Sequence, residues 1–328
     1  MELVKRATAK FKRTLNDLTF DVAGTSLGIR NPKRNIILMY HGIDTSGKNP
    51  FNTRHTPLKF FEKQISFLTK NYKVVSLKDY FEQHHTATNL CAVTFDDGYL
   101  NNYTNAVPVL EKYNCPATLF ITGLNEAHLD ILWADYVNIA GKLLQAVTID
   151  GEIFTPVKGM LVSNDRKKNI LEIAKHLNPE LEYKFKIYEA LDKALNFKAE
   201  NIYEEYWKLM TDEQIKKVSK NNLFEIGSHG YYHNNLGNIK SENAFDEIGK
   251  SKKYLENLIQ KPITNLGYPD GSYAKHTIDF ASQLGFVHQT CSDGFINLQD
   301  AREKYLLDRN GIYNCDSAAN QLIVALNT

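Results

Sequence analysis

Apolar positions along the chain fall into short continuous runs that alternate with longer stretches of helical spacing. The run Asn35 to Tyr40 (NIILMY) is the pattern of a strand buried on both faces, and it ends at His41 and Gly42. Thr56 then stands as an N-cap, Pro57 fits a first helical turn, and Phe60, Phe61, Ile65 and Leu68 recur at helical spacing. A strand over Lys73 to Ser76, a short helix through Tyr80 and a second buried strand over Leu90 to Phe95 follow, the last closed by Asp96. Tyr103 to Tyr113 reads as helix, Cys115-Pro116 breaks it, and Ala117 to Ile121 reads as the next strand. The rhythm returns with helix at Thr211 to Lys220, strand at Leu223 to Ile226, helix at Ser241 to Gln260, strand at Thr264 to Tyr268, helix at Lys275 to Leu284 and strand at Phe286 to Thr290. Repeated βα units of this size predict a parallel sheet, open or closed into a barrel.

Between about residues 124 and 210 the rhythm changes. A helix around Trp133 to Leu144, a hairpin turning at Asp150-Gly151 and charged helical stretches up to Tyr206 read together as an insertion. It leaves a βα loop, the side of a barrel that carries active sites, so it serves either as a lid or substrate wall or as a peripheral bundle without a part in chemistry. The predicted organisation is a basic helical segment over residues 1–34 and one α/β domain over 35–328 that contains the insertion.

Composition narrows the partners more than the fold. With 328 residues, 43% of them hydrophobic and 23% charged, the chain can bury a sizeable core. Its 39 Lys and Arg against 38 Asp and Glu leave a formal charge of +1, so there is no global field to recruit nucleic acid. Cys91, Cys115, Cys291 and Cys315 lie far apart with no CxxC pair and read as reduced, mostly buried thiols. Charges interrupt the first twenty residues every few positions, unlike a secretory signal, which makes the cytoplasm the expected location. No stretch approaches the roughly 18 apolar residues of a spanning helix. The basic N-terminal segment is either a solvated helix packed on the domain or an amphipathic helix resting on the inner face of a membrane.

Chemistry concentrates at strand ends. In Thr94-Phe95-Asp96-Asp97-Gly98-Tyr99 two adjacent carboxylates close a buried strand and point in different directions, so one can bind a metal while the other faces an attacking water. Alone, the fragment is explained equally well as an Asp-Gly turn. Gly227-Ser228-His229-Gly230-Tyr231-Tyr232-His233 follows another predicted strand, and two histidines four apart fall on one face of a helical turn. Joined to a carboxylate from a different strand edge, they give an Asp-His-His set with open positions for water and substrate, catalytic in style because a structural zinc takes four protein ligands.

The pairing of TFDDGY with GSHGYYH, preceded by LMYHGI and followed by GYPDGSY, resembles the polysaccharide deacetylase family, also called the NodB-homology or carbohydrate esterase four family, from about Ile36 to about Tyr313. The resemblance implies an α/β fold, a deformed (β/α) barrel of about seven parallel strands with a helical insertion. It implies a divalent metal, zinc first, with cobalt, nickel, iron or manganese as alternatives, held by Asp97, His229 and His233. Asp96 takes the place of the general base. The family's oxyanion-holding backbone amide maps onto Asp270 in Gly267-Tyr268-Pro269-Asp270-Gly271, with Tyr268 and Pro269 beside the substrate. Trp133 and Asp135 in LWADYV resemble an insertion motif that touches a sugar ring, although a Trp at this spacing is commonly core.

The chain departs from the family pattern at four places, one of them Asp270, where the family often has Tyr. Gly230 replaces a Ser or Thr, Gly267 replaces an Arg that pairs with the catalytic base, and no histidine follows His288 to act as general acid. Arg309, in LLDRNGI, is either the replacement for the missing Arg or an ordinary surface ion-pair residue, and His41 either approaches the site from across the barrel mouth or holds a supporting structural place; the general acid is unassigned. His276 and His288 read as ordinary helix and strand residues. The expected reaction is removal of the N-acetyl group from an amino sugar, polymeric or carried on a lipid or nucleotide. The alternatives are cleavage of an O-acetyl, formyl or cyclic-amide bond, or carbohydrate binding without turnover.

Overall fold

The structure, a computed structural model, describes residues 19–20, 33–47, 51–199, 203–302, 304–313 and 317–327. The predicted N-terminal helix lies almost entirely outside the described residues, as does Cys315. Nine strand pieces form one curled sheet: β1 (Ile36–Tyr40), β2 (Lys73–Val75), β3 (Leu90–Phe95), β4 (Ala117–Ile121), β5 (Phe224–Ser228), β6 (Asn265–Gly267), β7 (His288–Thr290), β8 (Leu306–Leu307) and β9 (Asn310–Gly311). Every pairing within it is parallel. The order is β8-β7-β6-β5-β4-β3-β1-β9, with β2 against β3 off this path.

Two features of register shape this sheet into a deformed (β/α) barrel. Along one edge, β3 pairs with β1 over its length, from Ile36 opposite Cys91 to Tyr40 opposite Phe95. Along its other edge it pairs first with β2 (Val75 opposite Ala92) and then with β4 (Thr94 opposite Thr118). The second feature is closure. The two ends of the path, β8 and β9, are separated in sequence only by Asp308 and Arg309, so a single extended stretch pairs first with β7 and then with β1. This divided last crossing, together with β2, accounts for nine pieces where about seven strands were expected.

Alternation along the buried strands divides the core. Leu38, Tyr40, Val93, Phe95, Leu119 and Ile121 pack with the helices, while Ile37, Ala92 and Phe120 belong to a second cluster on the opposite face of the sheet. Tyr40, Phe61 and Phe95 stack or meet edge-on at 5.2–5.6 Å between centroids, which fixes the helix Leu58–Asn71 against β1 and β3. Such pairs add about 0.5–1.5 kcal/mol each beyond buried area.

Local expectations were overridden at two helix starts. Thr56 does not cap the helix Leu58–Asn71; it pairs with Ile43 in a short parallel bridge, and its hydroxyl accepts from Gln321 Nε2. Residues 102–106 wind as a π turn before the α-helix Val107–Lys112. Pro108 lacks the N–H that would bond back into an ordinary α turn, and the wider turn precedes it.

The insertion contains the expected hairpin as well as helices, with one strand more than the hairpin alone supplies. Helices Trp133–Leu143 and Leu181–Ala194 pack with a three-stranded antiparallel sheet, Val147–Ile149, Glu152–Val157 and Met160–Ser163. The hairpin turns at Asp150 and Gly151, both left-handed at φ 53° and 78°, as its strand twist demands. The insertion has its own apolar centre, including Trp133, Ile149, Phe154, Ile187, Leu191 and Trp207. No helix among the described residues is long and apolar enough to cross a membrane.

Candidate active site

The C-terminal ends of the parallel strands converge on one cavity of about 220 Å³. His41 follows β1, Asp96 and Asp97 follow β3, His229 follows β5, Asp270 lies just beyond β6, Ser292 and Asp293 follow β7, and Arg309 sits between β8 and β9. Three of these site residues hold left-handed backbone: Asp97 at φ 75°, His233 at 58° and Asp270 at 52°. Each costs about 1–3 kcal/mol, and such strain collects where side chains must be aimed against local preference.

Asp97, His229 and His233 come together, their ligand atoms all within 4.8 Å of one another and all buried. Asp97 Oδ1 lies 3.1 Å from His233 Nε2 and 3.5 Å from His229 Nε2. His229 Nδ1 donates to the Gly267 carbonyl at 2.7 Å, which orients the ring with Nε2 facing Asp97. Neither oxygen of the buried Asp97 carboxylate has a hydrogen-bond partner. A buried carboxylate left in this way is costly. One carboxylate oxygen and two imidazole nitrogens aimed at a common point fit a divalent ion with open positions. The histidines do not share a face of a helical turn as expected. Residues 229–233 form a loop that reverses at Gly230, φ 72°.

That loop is pinned by a residue that no sequence pattern singles out. Glu247, buried on the helix Ser241–Ile259, accepts from the amides of Tyr231 (3.3 Å) and Tyr232 (3.0 Å) and from Asn234 Nδ2 (2.5 Å). Glu247 is one acid among several charges in SENAFDEIGK, and nothing in that spacing marks it out.

Asp96 faces a different partner. Arg309 grips it with both ends of its fork, Nη1 to Oδ1 at 2.6 Å and Nη2 to Oδ2 at 2.9 Å, and also donates to Thr94 Oγ1 and the Cys291 carbonyl. Burial raises the Asp96 carboxyl, but the guanidinium outweighs it and holds the group below the usual carboxylate range. The guanidinium stacks on Phe120 at 4.9 Å. A Cβ on Gly267 would meet that same ring at 3.1–3.2 Å. Phe120 thus occupies the approach from position 267, and the cation comes from the barrel-closing stretch instead.

His41 lines the cavity, and burial, reinforced by Arg54, lowers its ring to about 4. Asp270 also lines it, paired through its side chain with Lys175 of the insertion at 2.7 Å. Pro269 is buried beside it in the short turn Pro269–Gly271. Tyr268 does not face the cavity: it is wholly buried, with its hydroxyl donating to Gln289 at 2.6 Å. Trp133 is likewise core, its indole N–H reaching the His233 carbonyl at 3.4 Å. Asp135 is buried behind the site, where it accepts from Tyr99 (2.5 Å) and Asn52 (3.0 Å), and burial pushes its carboxyl up to about 6. His288 contacts Asn265 on the barrel, and His276 packs beside Phe245. Arg54 and Tyr313, both cavity-lining, were not anticipated. Arg54 lies in FNTRHTP, a turn-rich stretch with no period, and only the fold carries it to Asp97.

The family model described as polysaccharide deacetylase matches residues 83–146 and 182–288, together just over half of the chain; the interval between them contains the antiparallel sheet of the insertion. YxkH of Bacillus subtilis, provisionally named a polysaccharide deacetylase, is 24% identical over 260 residues, or 78% of this chain, which spans 63% of that relative's length. Among solved structures, the deacetylase PplD of Streptococcus pyogenes, in complex with acetate, superposes with a TM-score of 0.57 at 17% identity over 90% of this chain and 99% of that one. A de-N-acetylase from Aggregatibacter actinomycetemcomitans gives 0.54 at 16% identity over 88% and 99%. At these identities the structural likeness is one of fold. Carried by the family match, by the motifs at the strand ends and by the barrel itself, the conclusion is that this chain belongs to the polysaccharide deacetylase family.

Proposed function

We propose that the protein removes the N-acetyl group from an amino sugar of a glycan or glycan precursor by metal-assisted hydrolysis. Asp97, His229 and His233 hold the divalent ion, with zinc the first choice. The observation that carries this reading is the division of labour between two adjacent carboxylates: Asp96 is bound by Arg309, while Asp97 turns away from it toward two imidazoles. When bound, the ion polarises the acetyl carbonyl and acidifies water.

Everything else falls to the chain's own groups. Asp96, kept ionised by Arg309, has lone pairs left on both oxygens to take a proton from water, and its Oδ2 lies 3.6 Å from His229 Nε2, on the side of the ligand set. Arg309 positions the base without touching the reacting atoms. The backbone amide of Asp270 is the oxyanion donor, carried to the cavity by the left-handed turn after β6. His41, neutral near pH 7, hydrogen-bonds to substrate rather than standing ready as an imidazolium acid.

Product analysis tests the bond that is cleaved. Zinc-loaded protein is offered N-acetyl, N-formyl and O-acetyl sugars. The expected result is acetate and free amine in equal amounts from the N-acetyl sugar. Formate, or a free hydroxyl with no amine, overturns the N-deacetylase reading.

A further inference from the structure

The cleft contains a cation that hydrolysis of a neutral acetamide does not require. Arg54 lines it beside His41, Asp96 and Asp270. The other carboxylates of the wall have partners of their own. Asp96 has Arg309, Asp270 has Lys175, and Asp293 accepts from the Tyr313 hydroxyl and the Gly311 amide. Asp97 is taken by the two imidazoles it faces, as a ligand in the reading above.

The geometry of Arg54 leaves one end of its fork open. Nε donates to Asn52 Oδ1 at 3.3 Å. Nη2 lies 3.9 Å from Asp135 Oδ1, too far for a hydrogen bond. Asp135 is itself occupied by Tyr99 and by Asn52 Nδ2, so the frame that holds the guanidinium is fixed. Nη1 has no hydrogen-bond partner among the described residues. The side chain is 22% exposed. Burial opposes its charge, but Asp97, Tyr99, Asp135 and Asp270 together more than offset it, so the charge is permanent. A guanidinium oriented in advance, partly desolvated and open at its end matches the two oxygens of a carboxylate or phosphate.

We propose that Arg54 selects acidic substrates: N-acetylated sugars that carry a carboxylate or a phosphate on a ring position next to the acetamido group. The inference rests on the deacetylase reading for its reaction, but it makes a separate claim about recognition. A competing role, stabilising the oxyanion, would act on every substrate alike.

Steady-state kinetics on zinc-loaded wild type, Arg54→Gln and Arg54→Lys separate these roles, using N-acetylglucosamine, N-acetylmuramic acid and N-acetylglucosamine 1-phosphate. Wild type is expected to favour one of the two acidic sugars over the neutral one by about tenfold or more in kcat/KM, and which one identifies the anion. Arg54→Gln brings that ratio close to one through KM, and Arg54→Lys restores part of it. Equal kcat/KM on all three sugars, or a parallel fall in kcat on all three in Arg54→Gln, overturns the proposal. Calorimetry of the same sugars on Asp96→Asn reads recognition without turnover. Tight binding of acidic sugars that Arg54→Gln abolishes, with no acetate released by wild type, would sink the deacetylase reading and leave this one standing. Acetate release with no acidic preference does the reverse.

Discussion

Asp96 and Asp97 are neighbours in the chain with different surroundings, and the difference is set by a few residues. The left-handed backbone at Asp97 turns its carboxylate toward His229 and His233, while Asp96 keeps the direction of β3 and meets Arg309. Removing one partner of a buried ion pair leaves a charge stranded, at about 3–5 kcal/mol. Arg309→Gln is therefore expected to lower unfolding free energy by about that amount and, by loosening the base, to reduce kcat by about a hundredfold or more. Arg309→Lys keeps the charge without the two-pronged grip and should recover stability better than rate. Chemical denaturation beside steady-state kinetics reads both; a wild-type rate in Arg309→Gln would remove Arg309 from the site. His233→Ala should lower metal content with the barrel's circular dichroism unchanged, and stoichiometric metal in that variant would exclude His233 as a ligand. Asp96, Asp97 and His229 were legible because each stands where a hydrophobic run stops abruptly, and His233 through its spacing of four from His229. Arg309 was legible only through the gap left by Gly267. Arg54 was not legible at all, because its role depends on where a loop without periodicity lands.

At the scale of elements, the strands were the easiest to read and the turns around the site the hardest. Buried parallel strands announce themselves as unbroken apolar runs, which is why β1, β3 and β4 match their expected spans. The spacing of 229–233 predicts a helical turn, yet a buried carboxylate from the helix that follows supplies the acceptor for two of its amides and overrides that preference. Gly230 adopts φ 72° where a side chain would also come within 3.2 Å of Pro269. Glu247→Ala should leave those amides unsatisfied, cost about 1–3 kcal/mol and weaken metal binding about tenfold to a hundredfold, as losses behind a ligand usually do. Competition with a chelator measures the affinity. Unchanged affinity would mean that the loop holds its shape without Glu247.

Across the whole molecule, side chains of the insertion are tied to residues at and around the cleft. Lys175 pairs with Asp270, Trp133 donates to the His233 carbonyl, and Asp135 accepts from Tyr99 and Asn52, so the links run into the site itself. Its position in a βα loop was legible from the change of rhythm. Its links to the cleft were not, because they are long-range. Both tryptophans of the chain, Trp133 and Trp207, lie in the core of the insertion. Tryptophan fluorescence therefore follows the insertion, while far-ultraviolet dichroism is weighted toward the rest of the chain. Shared contacts of this kind predict coincident denaturation midpoints by the two probes, and separated midpoints would show a unit that unfolds alone.

In the proposed mechanism Asp96 takes the proton from water beside a metal held by Asp97, His229 and His233. Acetate release from an N-acetylated amino sugar, measured on wild type and Asp96→Asn brought to equal zinc content, tests it most directly. Asp96→Asn is expected to keep the ion and lose at least about a hundredfold in rate. Acetate release from Asp96→Asn at the wild-type rate would contradict it.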